Sequence, residues 1–83
     1  MNKQQYFDMV AKKGIMKKAI DGLFQAECEL VWIDDSMMER VENERRHLMA
    51  MVEELDKEMA EARKAFSREE LSAMAKEYRG GQA

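Results

Sequence analysis

The chain of 83 residues has no proline, one cysteine, four glycines and six aromatic residues. Collagen-like and β-sandwich folds need regular glycine and proline turns or abundant β-branched residues, so both are excluded. Cys28 stands alone, which excludes a disulfide framework and points to a reducing, cytoplasmic compartment. No run of 18 apolar residues occurs, so no segment suits a membrane-spanning helix. Lys3 is not followed by the apolar stretch of a secretion signal. Nor is there a glycine-rich phosphate loop. An apolar content of 46% excludes disorder. What remains is an all-α protein rich in Ala, Glu, Lys, Arg, Leu and Met. At this length the chain buries only about 60–65% of its unfolded surface, so its core is thin.

The net charge of −3 conceals three blocks. Residues 1–24 carry five lysines against two aspartates, and residues 25–61 carry twelve acidic residues against four basic ones. Residues 62–83 return to five basic against three acidic. Basic ends folding back on an acidic middle account for this pattern without an external partner.

Helix signals divide the chain into one small helical domain. Asn2 and Gln5 form a capping pair for a short first helix, which Gly14 is expected to stop. A second helix, 15–33, presents Met16, Ile20, Leu23, Phe24, Leu30 and Val31 on one face. Gly22 within it suggests close backbone packing. Asp34, Asp35 and Ser36 then mark a new start, with Ser36 and Glu39 as a capping box. The long coiled-coil-like helix that follows, about 36–66, has a seam at Met38, Val41, Arg45, Leu48, Val52, Leu55, Met59, Ala62 and Phe66. Residues 15–66 therefore form a helical hairpin. The alternative is a single rod, which would put Asp34 in the seam beside its own cap. Ser67 and Glu70 open a C-terminal helix, 67–79, with Leu71, Met74, Ala75 and Tyr78 inward, and residues 80–83 read as a flexible tail. A hairpin with so thin a core is expected to self-associate into a dimer or larger helical bundle.

In the hairpin, residues equidistant from the turn meet. Glu27 then faces the stretch from Glu42 to Arg45, and with Arg45, itself a seam position, it is expected to form a polar pair that sets register within the seam Ile20, Phe24, Val41, Leu48, Val52, Leu55, Met59 and Phe66. Glu44-Arg45-Arg46-His47 also contains a Glu-x-x-His step. With Glu27 from the neighbouring helix, this resembles half of a ferritin-like di-iron site, which a two-fold dimer would complete. That resemblance makes Glu27, Glu44 and His47 metal candidates. A lone histidine in a charged helix is more often solvated, so no metal and no cofactor are expected.

No catalytic constellation occurs. Cys28, between Glu27 and Glu29, lacks a basic neighbour to activate it and is expected to be a buried filler. Ser36 and Ser67 serve as caps. The chain is therefore expected not to be an enzyme. Residues 7–23 loosely fit a helix-turn-helix turning at Gly14, with Lys17 and Lys18 early on the second helix. The first thirteen residues also resemble the start of HU-type architectural proteins, whose β-arm has no counterpart here. DNA binding through the basic first 24 residues is thus an alternative function, opposed by the overall acidity.

Nine methionines exceed what the seam requires. Met37, Met49 and Met51 widen the apolar arc of the long helix, with Glu42, Glu53 and Glu54 at its rim. The function this pattern fits is a small regulator; a phage or mobile-element origin is a further expectation that rests on no particular residue. The regulator would act as an adaptor, assembly factor or inhibitor by docking on a basic-rimmed apolar groove of a larger protein.

Overall fold

The computed structural model describes residues 1–82, and its only regular structure there is three α-helices. Helix α1 spans Lys3–Leu30, α2 spans Asp35–Arg63 and α3 spans Arg68–Gln82. Helices α1 and α2 form the expected hairpin; the rod is not adopted. No described helix is long and apolar enough to cross a membrane.

Each helix starts where a side chain satisfies the free amides of its first turn. The Asn2 side chain accepts from the Gln5 amide at 2.8 Å, and the Gln5 side chain accepts from the Asn2 amide at 2.9 Å. Ser67 and Glu70 repeat this box at α3, at 3.1 and 3.0 Å. At α2 the cap is Asp34, whose carboxylate accepts from the Met37 amide at 3.0 Å. Ser36 lies inside the helix instead of capping it. A carboxylate at this position also meets the positive end of the helix dipole, an advantage that a hydroxyl lacks.

Gly14 stops nothing: α1 runs through it, so the short N-terminal helix and the second helix are one. The apolar stripe explains this. Met9, Met16, Ile20, Leu23, Glu27 and Leu30 step by seven, four, three, four and three, in phase across Gly14. A mid-helix glycine costs at most about 1 kcal/mol, less than the burial lost by breaking the stripe. Gly22 is not closely packed either, since a Cβ added there, as at Gly14, meets nothing within 4 Å. The helix-turn-helix fit loses its turn with Gly14. At the other end, α3 continues as helix to Gln82, beyond the expected stop at 79; Ala83 lies outside the described residues.

Antiparallel pairing brings matched levels of α1 and α2 together. The Arg63 guanidinium donates to the Tyr6 hydroxyl at 3.2 Å, and Lys13 pairs with Asp56 at 2.6 Å. Lys13 thus occupies an otherwise apolar stripe because a carboxylate faces it. Helix α3 stays at the open end of the hairpin: Glu77 pairs with Lys3 at 2.9 Å, and the Tyr78 ring lies 5.6 Å from that of Phe7. Phe66 meets Tyr6 edge-on at 6.0 Å.

The core follows this arrangement. Met16, Leu55 and Met59 are buried together, with Tyr6, Met9, Val10, Leu48 and Val52 packed around them. Ala62 and Met74 are also buried. Apart from Leu48, at mid-height, all of these lie in the half of the hairpin near α3 or on α3 itself. In the other half, toward the turn, Ile20, Leu23, Leu30 and Val41 are only half-buried and Glu27 is the one buried side chain among the described residues. Two helices alone cover a single strip of each other, whereas a third widens the covered arc.

Candidate docking surface

The tip half begins with a polar layer. Glu27 is buried, and Arg45 reaches it through two donors, Nε at 2.5 Å and Nη2 at 3.2 Å. The same guanidinium lies over the Phe24 ring, 5.5 Å from its centroid, and Nη1 donates to Met49 Sδ at 3.3 Å. The hydrogen bond to Glu27 is the main influence holding the Arg45 guanidinium above its ordinary arginine value; burial opposes it. Glu27 and Arg45 are therefore paired; distance from the turn pointed only to the stretch 42–45, and the seam position singled out Arg45. Arg45 does more than pair: it bridges Glu27 to an apolar flank made by Phe24 and Met49.

Phe24 is not a seam residue. It is 56% exposed, because it sits to one side of the Ile20–Glu27 stripe and α2 cannot cover it. Of the other seam residues, Leu55 and Met59 are buried, while Ile20, Val41, Leu48, Val52 and Phe66 are half-buried. Val31, expected on the same inward face, is exposed at the end of α1.

The methionine arc is divided. Met49 lines a groove with Lys17, Ile20, Asp21, Val52 and Glu53 on one side of the hairpin. Met51 lines another with Lys12, Met16, His47, Glu54 and Leu55 on the opposite side. Residues two apart lie about 200° apart around a helix, so the seam runs between them. Met37, at the start of α2, is 51% exposed and stands near the turn. The three therefore do not form one patch. The expected acidic rim is split likewise: Glu53 borders the Met49 groove, Glu54 borders the Met51 groove and pairs with Lys57 at 3.3 Å, and Glu42 pairs with Arg46 at 2.5 Å.

Glu27, Glu44 and His47 are not brought together. Glu27 is engaged by Arg45, while Glu44 and His47 are exposed. Among the described residues no three His, Cys, Asp or Glu side chains are grouped so as to hold a metal ion within one chain. Cys28 is exposed instead of buried.

The feature that sequence reasoning missed is the turn itself. Trp32 is 89% exposed and Ile33 80% exposed, between Val31 and the Asp34 cap. Loop aromatics carry no periodic signal; the only clue was the chain's sole tryptophan placed immediately before a cap. With these included, the exposed large hydrophobics are Met1, Ile15 and Met51 in the half near α3, Met49 at mid-height, and Phe24, Val31, Trp32, Ile33 and Met37 toward the tip. Large apolar residues exposed together on a small chain make this end the candidate docking surface.

Searches for similar proteins match no family model, no curated protein and no solved structure.

Proposed function

We propose that this chain is a non-enzymatic regulator that binds another protein through the tip half of its hairpin, as an adaptor, assembly factor or inhibitor. The observation that carries the proposal is the segregation of apolar surface. The half near α3 contains the buried cluster, and five of the nine exposed large hydrophobics, Phe24, Val31, Trp32, Ile33 and Met37, lie toward the tip, with Met49 a sixth at mid-height. Exposed apolar side chains on one end cost solubility without adding stability, and they are accounted for when a partner covers them. The partner is a larger protein whose contact surface is apolar and basic-rimmed, complementary to the acidic middle of this chain. The cytosol is the proposed compartment, because the exposed Cys28 thiol stays free where reductants are abundant.

The test uses the tagged full chain recovered from its native cells. A stoichiometric partner is expected with the wild type and with Ser72→Glu on α3. It is expected to be lost with Phe24→Glu or Met49→Glu at unchanged helicity. A partner that survives both tip substitutions would refute the proposal.

Self-association is a second reading, favoured by the flank where Phe24 and Met49 lie open beside the half-buried Ile20 and Val52. A second hairpin laid there would complete a four-helix arrangement. Sedimentation velocity would detect it as a dimer that Met49→Glu dissociates; a monomer at all concentrations would exclude it.

A further inference from the structure

The turn between α1 and α2 is built as a firm support. The Ile33 and Asp34 amides both donate to the Leu30 carbonyl, at 2.9 and 2.8 Å, and the Asp34 side chain caps α2. With the Val31 amide bonded to the Glu27 carbonyl, three amides of the turn are held by α1, and the side chains of Trp32 and Ile33 project almost wholly into solvent. Residues 28–39 around them carry four carboxylates, Glu29, Asp34, Asp35 and Glu39, and no basic residue. All four are exposed.

We infer that Trp32 and Ile33 form an anchor that inserts into an apolar pocket of a partner protein whose rim carries lysine or arginine. This specifies the contact within the protein-binding function proposed above. An indole and a branched aliphatic chain on a preorganised turn bury large area at little ordering cost, and tryptophan is the side chain most enriched among binding hot spots. The surrounding charge selects among the occupants. Two tips of this chain would bring eight carboxylates together, so tip-to-tip pairing with a second copy is repelled. Anionic lipid and nucleic-acid phosphate are repelled for the same reason. A pocket ringed by cations is attracted, which steers and orients the approach.

Trp32 is the only tryptophan, so intrinsic emission reads the tip alone. Trp32→p-benzoylphenylalanine in the full chain, irradiated in native cells, is expected to form an adduct with one protein at a site where apolar residues lie between lysines or arginines. That protein, purified, should blue-shift the emission of the wild-type chain. Trp32→Ala should weaken its binding at least about 30-fold at unchanged helicity. Glu29→Lys with Glu39→Lys should also weaken it and flatten its salt dependence, and Ser72→Glu should leave it unchanged.

Several results would overturn the inference. They are no adduct above that from the same photoreactive group at Ser72, or binding of the captured protein that ignores Trp32→Ala. A blue shift on concentrating the chain alone would assign the tip to a second copy. A blue shift with phosphatidylserine–phosphatidylcholine vesicles would assign it to membrane. If Phe24→Glu abolishes partner recovery while Trp32→Ala does not, the binding function stands and the anchor falls; if neither matters, both fall.

Discussion

Alanine substitution should separate the two halves of the hairpin. Leu55 is 6% exposed and packs with Met16 and Met59. Removing its three outer carbons forfeits about 2.4 kcal/mol of transfer free energy at about 0.8 kcal/mol per methylene. A residual cavity adds to this, but only modestly, because no side chain among the described residues falls below 2% exposure and the neighbours can close in. The expected loss is about 2.5–3 kcal/mol. Phe24 keeps less than half of its surface covered. At about 1.5–3 kcal/mol for a fully buried phenylalanine, its covered fraction gives about 1 kcal/mol for Phe24→Ala, although phenylalanine is the larger side chain. With about 4–8 °C per kcal/mol for a domain of this size, Leu55→Ala should lower Tm by roughly 10–24 °C and Phe24→Ala by roughly 4–8 °C. The assay is thermal and urea unfolding followed by far-ultraviolet circular dichroism, with unchanged m-values as the check that both variants unfold from the same state. Equal losses would refute the division: they would mean that Phe24 is covered in solution, and a loss that grows with protein concentration would name a second copy as the cover.

Further expectations follow from single contacts. Asp34→Ala should cost about 1 kcal/mol as a lost N-cap, whereas Ser36→Ala should cost almost nothing; the reverse order in urea midpoints would restore Ser36 as the cap. Gly14→Ala and Gly22→Ala should each stabilise by about 0.5–1 kcal/mol and add when combined, and any destabilisation would reveal a close neighbour at that face. Glu27→Ala should destabilise markedly by leaving Arg45 facing an apolar flank, while Glu27→Met with Arg45→Met should recover most of the loss; a double variant as unstable as the single would show that the pair contributes net stability. The raised Arg45 value has a defined sign. The stability it confers is complete below the ordinary arginine range and is lost only as alkali carries the pH through the higher folded value. Arg45 ionisation should therefore leave urea midpoints flat between about pH 7 and 10, compared in wild type and Arg45→Met.

Much of the fold was legible because its determinants are local. The boxes at Asn2–Gln5 and Ser67–Glu70 are short-range hydrogen bonds written in consecutive residues. The seam from Val41 to Ala62 is a periodicity, and Arg45's place in it, together with its approximate distance from the turn, singled it out as the partner of Glu27. Other features depend on competition between comparable terms. Gly14 carries a stop signal, yet the stripe from Met9 to Met16 outweighs it. Three consecutive residues, Asp34, Asp35 and Ser36, can each accept a capping hydrogen bond, and only the turn geometry selects the first. The separation of Met49 from Met51 could have been read from their two-residue spacing. The exposure of Phe24 could not, since it depends on how far α3 extends over the hairpin. Trp32 belongs to the turn, where no repeat reports which way a side chain faces.

The central claim is that the tip half stands uncovered in the free chain and is covered by a partner. Acrylamide quenching of Trp32 in the purified protein, across a concentration series, tests the first part most directly. Quenching close to that of a free tryptophan amide, unchanged by concentration and reduced only on adding the captured partner, is the predicted result. Protection that is already present in the isolated chain, or that grows as the chain is concentrated, would contradict it.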